Sequence, residues 1–289
     1  MKYRSIFVFT ATALLIIGCN AKTPADEQSA VTTQKLEQEE QAIRPEASSA
    51  PVPNGKSILA DIYKQPVDEI TGSQLSDGRY VSFWNGHHFT LDGKNYFVGF
   101  SEATPESEIE YPAPEDMVTI SQATYEFVAN AWMLKAVQHD VGKFGGKNRA
   151  PAVDTIQKTA AFHNPQGKFV LATPAVTTAN GGIQMFFYEI FAFSPVDAQW
   201  KYVGHVNAGY ENSGGCAHQA DSATETKCVK STGNLFFSAN ENSSWPELDV
   251  VLQGTELGEA GKVMTLTVKD SITYRYDEKS SKYLPLNKI

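Results

Sequence analysis

Tyr125-Glu126-Phe127, a short turn, then Trp132-Met133-Leu134: this stretch decides the fold, because the chain repeats its pattern twice more. Phe191-Ala192-Phe193 leads to Trp200-Lys201-Tyr202, and Tyr274-Arg275-Tyr276 leads to Tyr283-Leu284. Each copy is aromatic-x-aromatic, a mostly polar or small-residue turn, then an aromatic residue that opens the return strand. An antiparallel hairpin produces this spacing, since alternate residues share a face and aromatics pair across the strands.

Working outward, each hairpin follows a compact run of β-favouring residues. These are Tyr96-Phe97-Val98-Gly99-Phe100, Lys168-Phe169-Val170-Leu171-Ala172 and Leu248-Asp249-Val250-Val251-Leu252, spaced by about 75 to 80 residues. Second runs at 118–127, 184–193 and 263–276 lead into the hairpins. The first two copies also end alike, in Val141-Gly142-Lys143-Phe144-Gly145-Gly146 and in Ala208-Gly209-Tyr210 through Gly214-Gly215. The expected fold is mainly β: antiparallel sheets in about three degenerate, propeller-like repeats. Residues 152–161 and 58–63 each read as either a short helix or a covering strand.

Lys2 and Arg4 precede an apolar run, 6–17, that is too short to span a bilayer core, which needs roughly 20 residues. A basic start, a short apolar stretch and small residues at its end describe a secretory signal peptide. Its close, Ile16-Ile17-Gly18-Cys19, resembles the lipobox of bacterial lipoproteins. That resemblance implies cleavage after Gly18, diacylglycerol on the Cys19 thiol and acylation of the new amino terminus. Asn20-Ala21, in place of an Asp after the cysteine, resembles outer-membrane sorting. The expected location is therefore the cell envelope, with the membrane held through acyl chains on Cys19.

The domains expected are a signal peptide at 1–18, the lipidated cysteine with a disordered linker at 19–55, and a β-rich globular domain at 56–289. Residues 20–55 contain no aromatic residue and are rich in Ala, Gln, Glu, Ser, Thr and Pro, too polar to offset the entropy of ordering. All four Trp lie beyond them. The whole chain carries a net charge of −9, and loss of Lys2 and Arg4 makes the mature chain −11. Such a balance excludes the basic footprint of a nucleic-acid binder.

Cys216 and Cys228 remain beside Cys19. Two thiols closing a short loop in an oxidising compartment form a disulfide. A zinc site using them with His218 and Asp221 or Glu225 matches no familiar ligand spacing, so no metal is expected. The stapled loop, carrying His218, Asp221 and Glu225, is one candidate recognition element. The other is the acidic segment 101–116, with Glu106, Glu108 and Glu110 among three prolines, which reads as a solvated loop whose field suits a cationic partner. His87 and His88 are expected at an exposed hairpin tip, on opposite faces, unable to share a metal.

Ala239-Asn240-Glu241-Asn242-Ser243-Ser244-Trp245-Pro246-Glu247-Leu248-Asp249 is similar to the loop-and-strand signature of FG-GAP-type β-propeller repeats. The resemblance implies a propeller-like strand. The calcium that such loops hold is not implied, because Ala239 and Ser243 stand where carboxylates belong. No nucleophile elbow or phosphate loop occurs, so neither catalytic residues nor a cofactor are expected. The leading expectation is a non-enzymatic envelope module for a protein partner, in an immunity, inhibitor or assembly role. The alternatives are an envelope hydrolase using the acidic-loop carboxylates, and a purely structural tethering lipoprotein.

Overall fold

Three antiparallel sheets follow one another along the chain, one for each expected repeat. The computed structural model describes residues 50–64, 73–105, 113, 115–164, 168–216, 227–240, 243–258 and 261–286. Cys19 and the linker up to residue 49 lie outside them.

The first sheet runs β1 (Ser73–Gln74), β2 (Tyr80–Leu91), β3 (Lys94–Ala103), β4 (Val118–Val128) and β5 (Ala131–Phe144), each paired with the next. The second holds β6 (Ala152–Val153), β7 (Ala160–His163), β8 (Phe169–Thr178), β9 (Gln184–Ser194) and β10 (Gln199–Glu211). Its order is β10-β9-β8, with β6 and β7 both laid along the far edge of β8. The third holds β11 (Ser231–Ser238), β12 (Glu247–Leu257), β13 (Val263–Leu266), β14 (Ile272–Asp277) and β15 (Lys282–Pro285), in the order β11-β12-β14-β15.

The aromatic pattern sets the register as expected. Phe127 stands opposite Trp132, Phe193 opposite Trp200, and Tyr276 opposite Tyr283. Their ring centroids are 5.0, 4.9 and 5.5 Å apart, within the range of favourable aromatic pairs.

The sheets stack face to face, and the period of two decides which residues fill each layer. Phe169, Leu171, Phe191, Phe193 and Trp200 point from the second sheet into the first, against Phe89, Val98, Phe100, Ile120 and Phe144. Their neighbours Val170, Ala172, Ile190 and Ala192 point the other way, onto Leu235, Leu248, Val250 and Tyr274 of the third. A sheet buried on both faces needs apolar residues at both parities, which is why β8 and β9 read as nearly unbroken apolar runs. In β12 the alternation is clean: Leu248, Val250 and Leu252 are buried, while Asp249 faces outward and accepts from Thr273 Oγ1 (2.6 Å) and Ser238 Oγ (3.2 Å).

The similar glycine-containing ends of the first two repeats have a common cause. Gly142, at φ 151°, passes beneath Tyr202, where an added Cβ would lie 2.8 Å from the Tyr202 Cβ. Gly209, at φ 113°, passes beneath the Ser231 carbonyl, 2.4 Å from an added Cβ. In both cases the last strand of one sheet crosses tightly against the next sheet, and only glycine fits.

Helix α1 (Gly55–Tyr63) covers the outer face of the first sheet, which settles the alternative left open at 58–63. Asn54 Oδ1 accepts from the Ser57 N–H at 3.0 Å to start it, and Lys64 ends it in the left-handed conformation. Ile58 and Ile62 bury against Phe97, Ala123 and Tyr125. Residues 152–161, by contrast, supply β6 and β7, because the open edge of β8 requires a covering strand.

Two expectations are corrected. His87 and His88 lie within β2, opposite Val98 and Phe97, and the hairpin tip is Asp92-Gly93. They do face opposite ways. The run 263–276 is two strands, split by a 3₁₀ turn at Val268–Asp270 that Thr267 and Asp270 close as a capping box.

Candidate recognition face

The strands β5 and β10 lie side by side and run the same way. Gln138 of β5 reaches across to Trp200, its Nε2 donating to the carbonyl at 2.9 Å and its Oε1 accepting from the N–H at 3.0 Å. Four residues further on, Gly142 lies beneath Tyr202. The hairpin turns at 129–130 and 195–198 therefore share one end of the stack. The third turn, 278–281, joins them there: Tyr276 and Glu278 line the same groove, of about 380 Å³, as Ser194 and Gln199.

The two candidate recognition loops leave from the opposite end. The acidic segment links the end of β3 to the start of β4, and the disulfide loop follows the end of β10. Glu106, Glu108 and Glu110 fall outside the described residues, as do His218, Asp221 and Glu225. Their roots are described, and both are tightly fastened.

Thr104 at the first root exchanges hydrogen bonds with Tyr80: the Thr104 N–H donates to the Tyr80 carbonyl (2.9 Å), and the Tyr80 N–H donates to Thr104 Oγ1 (2.8 Å). Glu102 accepts from Ser82 Oγ (2.7 Å) and from the Ala150 N–H (2.9 Å), so its carboxylate positions backbone. On the return side, Asp116 Oδ2 accepts from the Ala113 N–H at 2.6 Å. The Ala113 and Asp116 carbonyls accept from the N–H groups of Lys147 (3.2 Å) and Asn148 (2.7 Å). A groove of about 310 Å³ lies here, lined by Tyr80, Ser82, Glu102, Thr104, Asn148 and Arg149. The Asn148 Oδ1 is buried and has no partner among the described residues.

The second root is closed by the Cys216–Cys228 disulfide, with Cα atoms 5.4 Å apart. Asn212, 6% exposed, ties the two limbs together. Its Nδ2 donates to the Lys227 carbonyl (3.0 Å), and its Oδ1 accepts from the Val229 N–H (2.8 Å). Just outside, Lys230 Nζ lies 2.6 Å from Glu211. Hydrogen bonds from Lys230, and then from Ser213, hold the Glu211 carboxyl below its usual range.

The chain joins the domain at the other end. The Ala50 carbonyl accepts from Trp132 Nε1 at 3.4 Å, next to the β4–β5 turn. Ala50 and the root of the acidic segment thus occupy opposite ends of the first sheet.

The remaining candidates are structural. Burial, and after it the charge of His88, pushes His87 down to about 4, so it is neutral at neutral pH. His88 packs on Phe97 and Trp132 on the other face. Glu247, at the start of β12, is taken by Arg275 and Asn240. Among the described residues, no three His, Cys, Asp or Glu side chains converge on a point.

Sequence reasoning missed one group. Glu189 is 3% exposed, on the face that packs against the first sheet, and Tyr202 Oη donates to its Oε2 at 2.6 Å. Burial raises its carboxyl to about 7, and the Tyr202 hydrogen bond offsets only part of that rise. Thr173 stands directly opposite with its hydroxyl unpartnered among the described residues. The signal was present: Glu189 is the only charged residue between Gln184 and Phe193. No family model matches the chain, and no curated protein matches it in sequence.

Proposed function

We propose that the chain is a lipid-anchored envelope protein, non-enzymatic, that presents two loops to a protein partner. The observation that carries this reading is polarity: the chain from Cys19 joins beside Trp132, while both candidate loops leave from the far end of the sheets. A tethered binding module is built this way, with its contact loops held away from the membrane on a rigid β-scaffold. The stacking of the sheets in chain order supports the propeller-like reading of the repeats. The acidic loop suits a partner with a basic surface, as an inhibitor or immunity protein would need.

Photo-crosslinking in cells tests this. With a photoreactive residue in place of Glu108, Arg149 or Glu225, the full-length protein is expected to give one discrete adduct, and the same residue at Ser280 none. Adducts absent from all three loop-face positions, or equally strong from Ser280, overturn the reading. Incorporation of labelled palmitate that survives Cys19→Ser overturns the anchor.

A further inference from the structure

We propose that the tip of the first hairpin, residues 127–134, rests in the lipid interface of the membrane that holds the chain, and so fixes the orientation of the domain. This rests on the Cys19 anchor of the proposed function.

The tip has the wrong chemistry for water. Of its eight residues, Phe127-Val128-Ala129-Asn130-Ala131-Trp132-Met133-Leu134, only Asn130 has a polar side chain. Val128 is 47% exposed, Met133 57% and Leu134 40%. The register sets Phe127 against Trp132 on one face and Val128 against Ala131 on the other, where Met133 stands opposite Glu126, so only the outermost residues are apolar on both faces. A hairpin in water alternates apolar and polar faces. The corresponding turns of the other two hairpins do carry polar groups, Ser194, Asp197 and Gln199 in one and Asp277 through Lys282 in the other.

The occupant follows from where the chain goes. Ala50 is held against Trp132, and residues 20–49 are all that separate it from the acylated cysteine. Those residues reach at most about 100 Å even at full extension. The tip is therefore confined near the bilayer at an effective concentration in the millimolar range, where even a weak apolar contact is populated. The side chains free to enter the bilayer are Val128, Met133 and Leu134, since the Trp132 indole is engaged by Ala50, His88 and Phe97. Immediately behind, Lys94 and Lys135 both pair with Glu126 at 3.1 Å, and Asp92 adds a second acid beside Lys94. That collar is nearly neutral, so the contact is apolar and needs no anionic lipid.

The test uses the full lipidated chain in phosphatidylcholine vesicles. With Cys19 acylated and Cys216 bridged to Cys228, a cysteine placed at Asn130 or Ser280 is the sole free thiol for an environment-sensitive fluorophore. The label at Asn130→Cys is expected to brighten several-fold and to be quenched by nitroxide-bearing lipid, and the label at Ser280→Cys to remain aqueous. Adding Val128→Asp and Met133→Asp is expected to return the Asn130 label to water, with flotation and thermal melting unchanged. A chain that floats with both labels aqueous, or with Ser280 the more quenched, overturns the tip contact alone. A chain that does not float fails at Cys19, and the tip contact falls with it.

Discussion

The first and second hairpins share a pattern, a register and a ring spacing, yet they do opposite jobs. Phe193 and Trp200 are each 2% exposed, closed between two sheets, and Trp200 Nε1 donates to Thr124 Oγ1 at 3.0 Å. Phe127 and Trp132 overhang, half-buried, at the end of the first sheet. Their carboxylates diverge too. Lys94 and Lys135 hold Glu126 below its usual range, while burial drives Glu189 up to about 7. Cross-strand pairing is thus a local property, and the layer that covers it decides whether it becomes core or surface.

The contrast can be broken most forcefully at Trp200. Trp200→Ala opens a cavity and removes the indole donor to Thr124 Oγ1, and is expected to cost about 3–5 kcal/mol in urea denaturation. A loss near that of an ordinary surface change would mean that the second hairpin is not core. Opening the disulfide by Cys216→Ser together with Cys228→Ser removes a short loop closure worth about 3 kcal/mol, read as a lower melting temperature.

Glu189 sharpens the contrast through pH. Its folded pKa lies above the unfolded value, so the folded state binds the extra proton and stability falls as pH rises from about 4.5 to about 7. Glu189→Gln is expected to flatten that part of the profile and to gain roughly 2–3 kcal/mol above pH 7, measured by denaturation at several pH values. Trp132→Ala, at the overhanging tip, is expected to cost only about 1 kcal/mol. Its clearer signature is faster proteolysis just before Ala50, followed by mass spectrometry, since the indole holds that carbonyl.

The sheets were legible where apolar period and aromatic spacing agree. β3, β4, β8, β9 and β12 each announce themselves, and the three aromatic pairs set the register. Within β2, Asn85-Gly86-His87-His88 reads as a hairpin tip, yet a bulge between Phe83 and Asn85 lets the strand run through it. β11 opens on Ser231-Thr232-Gly233-Asn234, which reads as a loop, and is a strand only because β12 pairs with it. Residues 152–161 carry no decisive period, so the edge of β8 chose for them. At the recognition face, the sequence pointed to the loops but not to their fastenings. Asn212 and Thr104 act through side-chain contacts with residues remote in sequence, which no local pattern encodes, and Asp116 bonds the nearby Ala113 N–H.

Gln138 has one more effect. The second sheet ends at β10, and the outward peptide groups of an outermost strand invite a foreign strand to zip on and seed fibrils. By impersonating the missing neighbour with its own amide, Gln138 fills that template at Trp200 from within the molecule, where β5 already runs alongside.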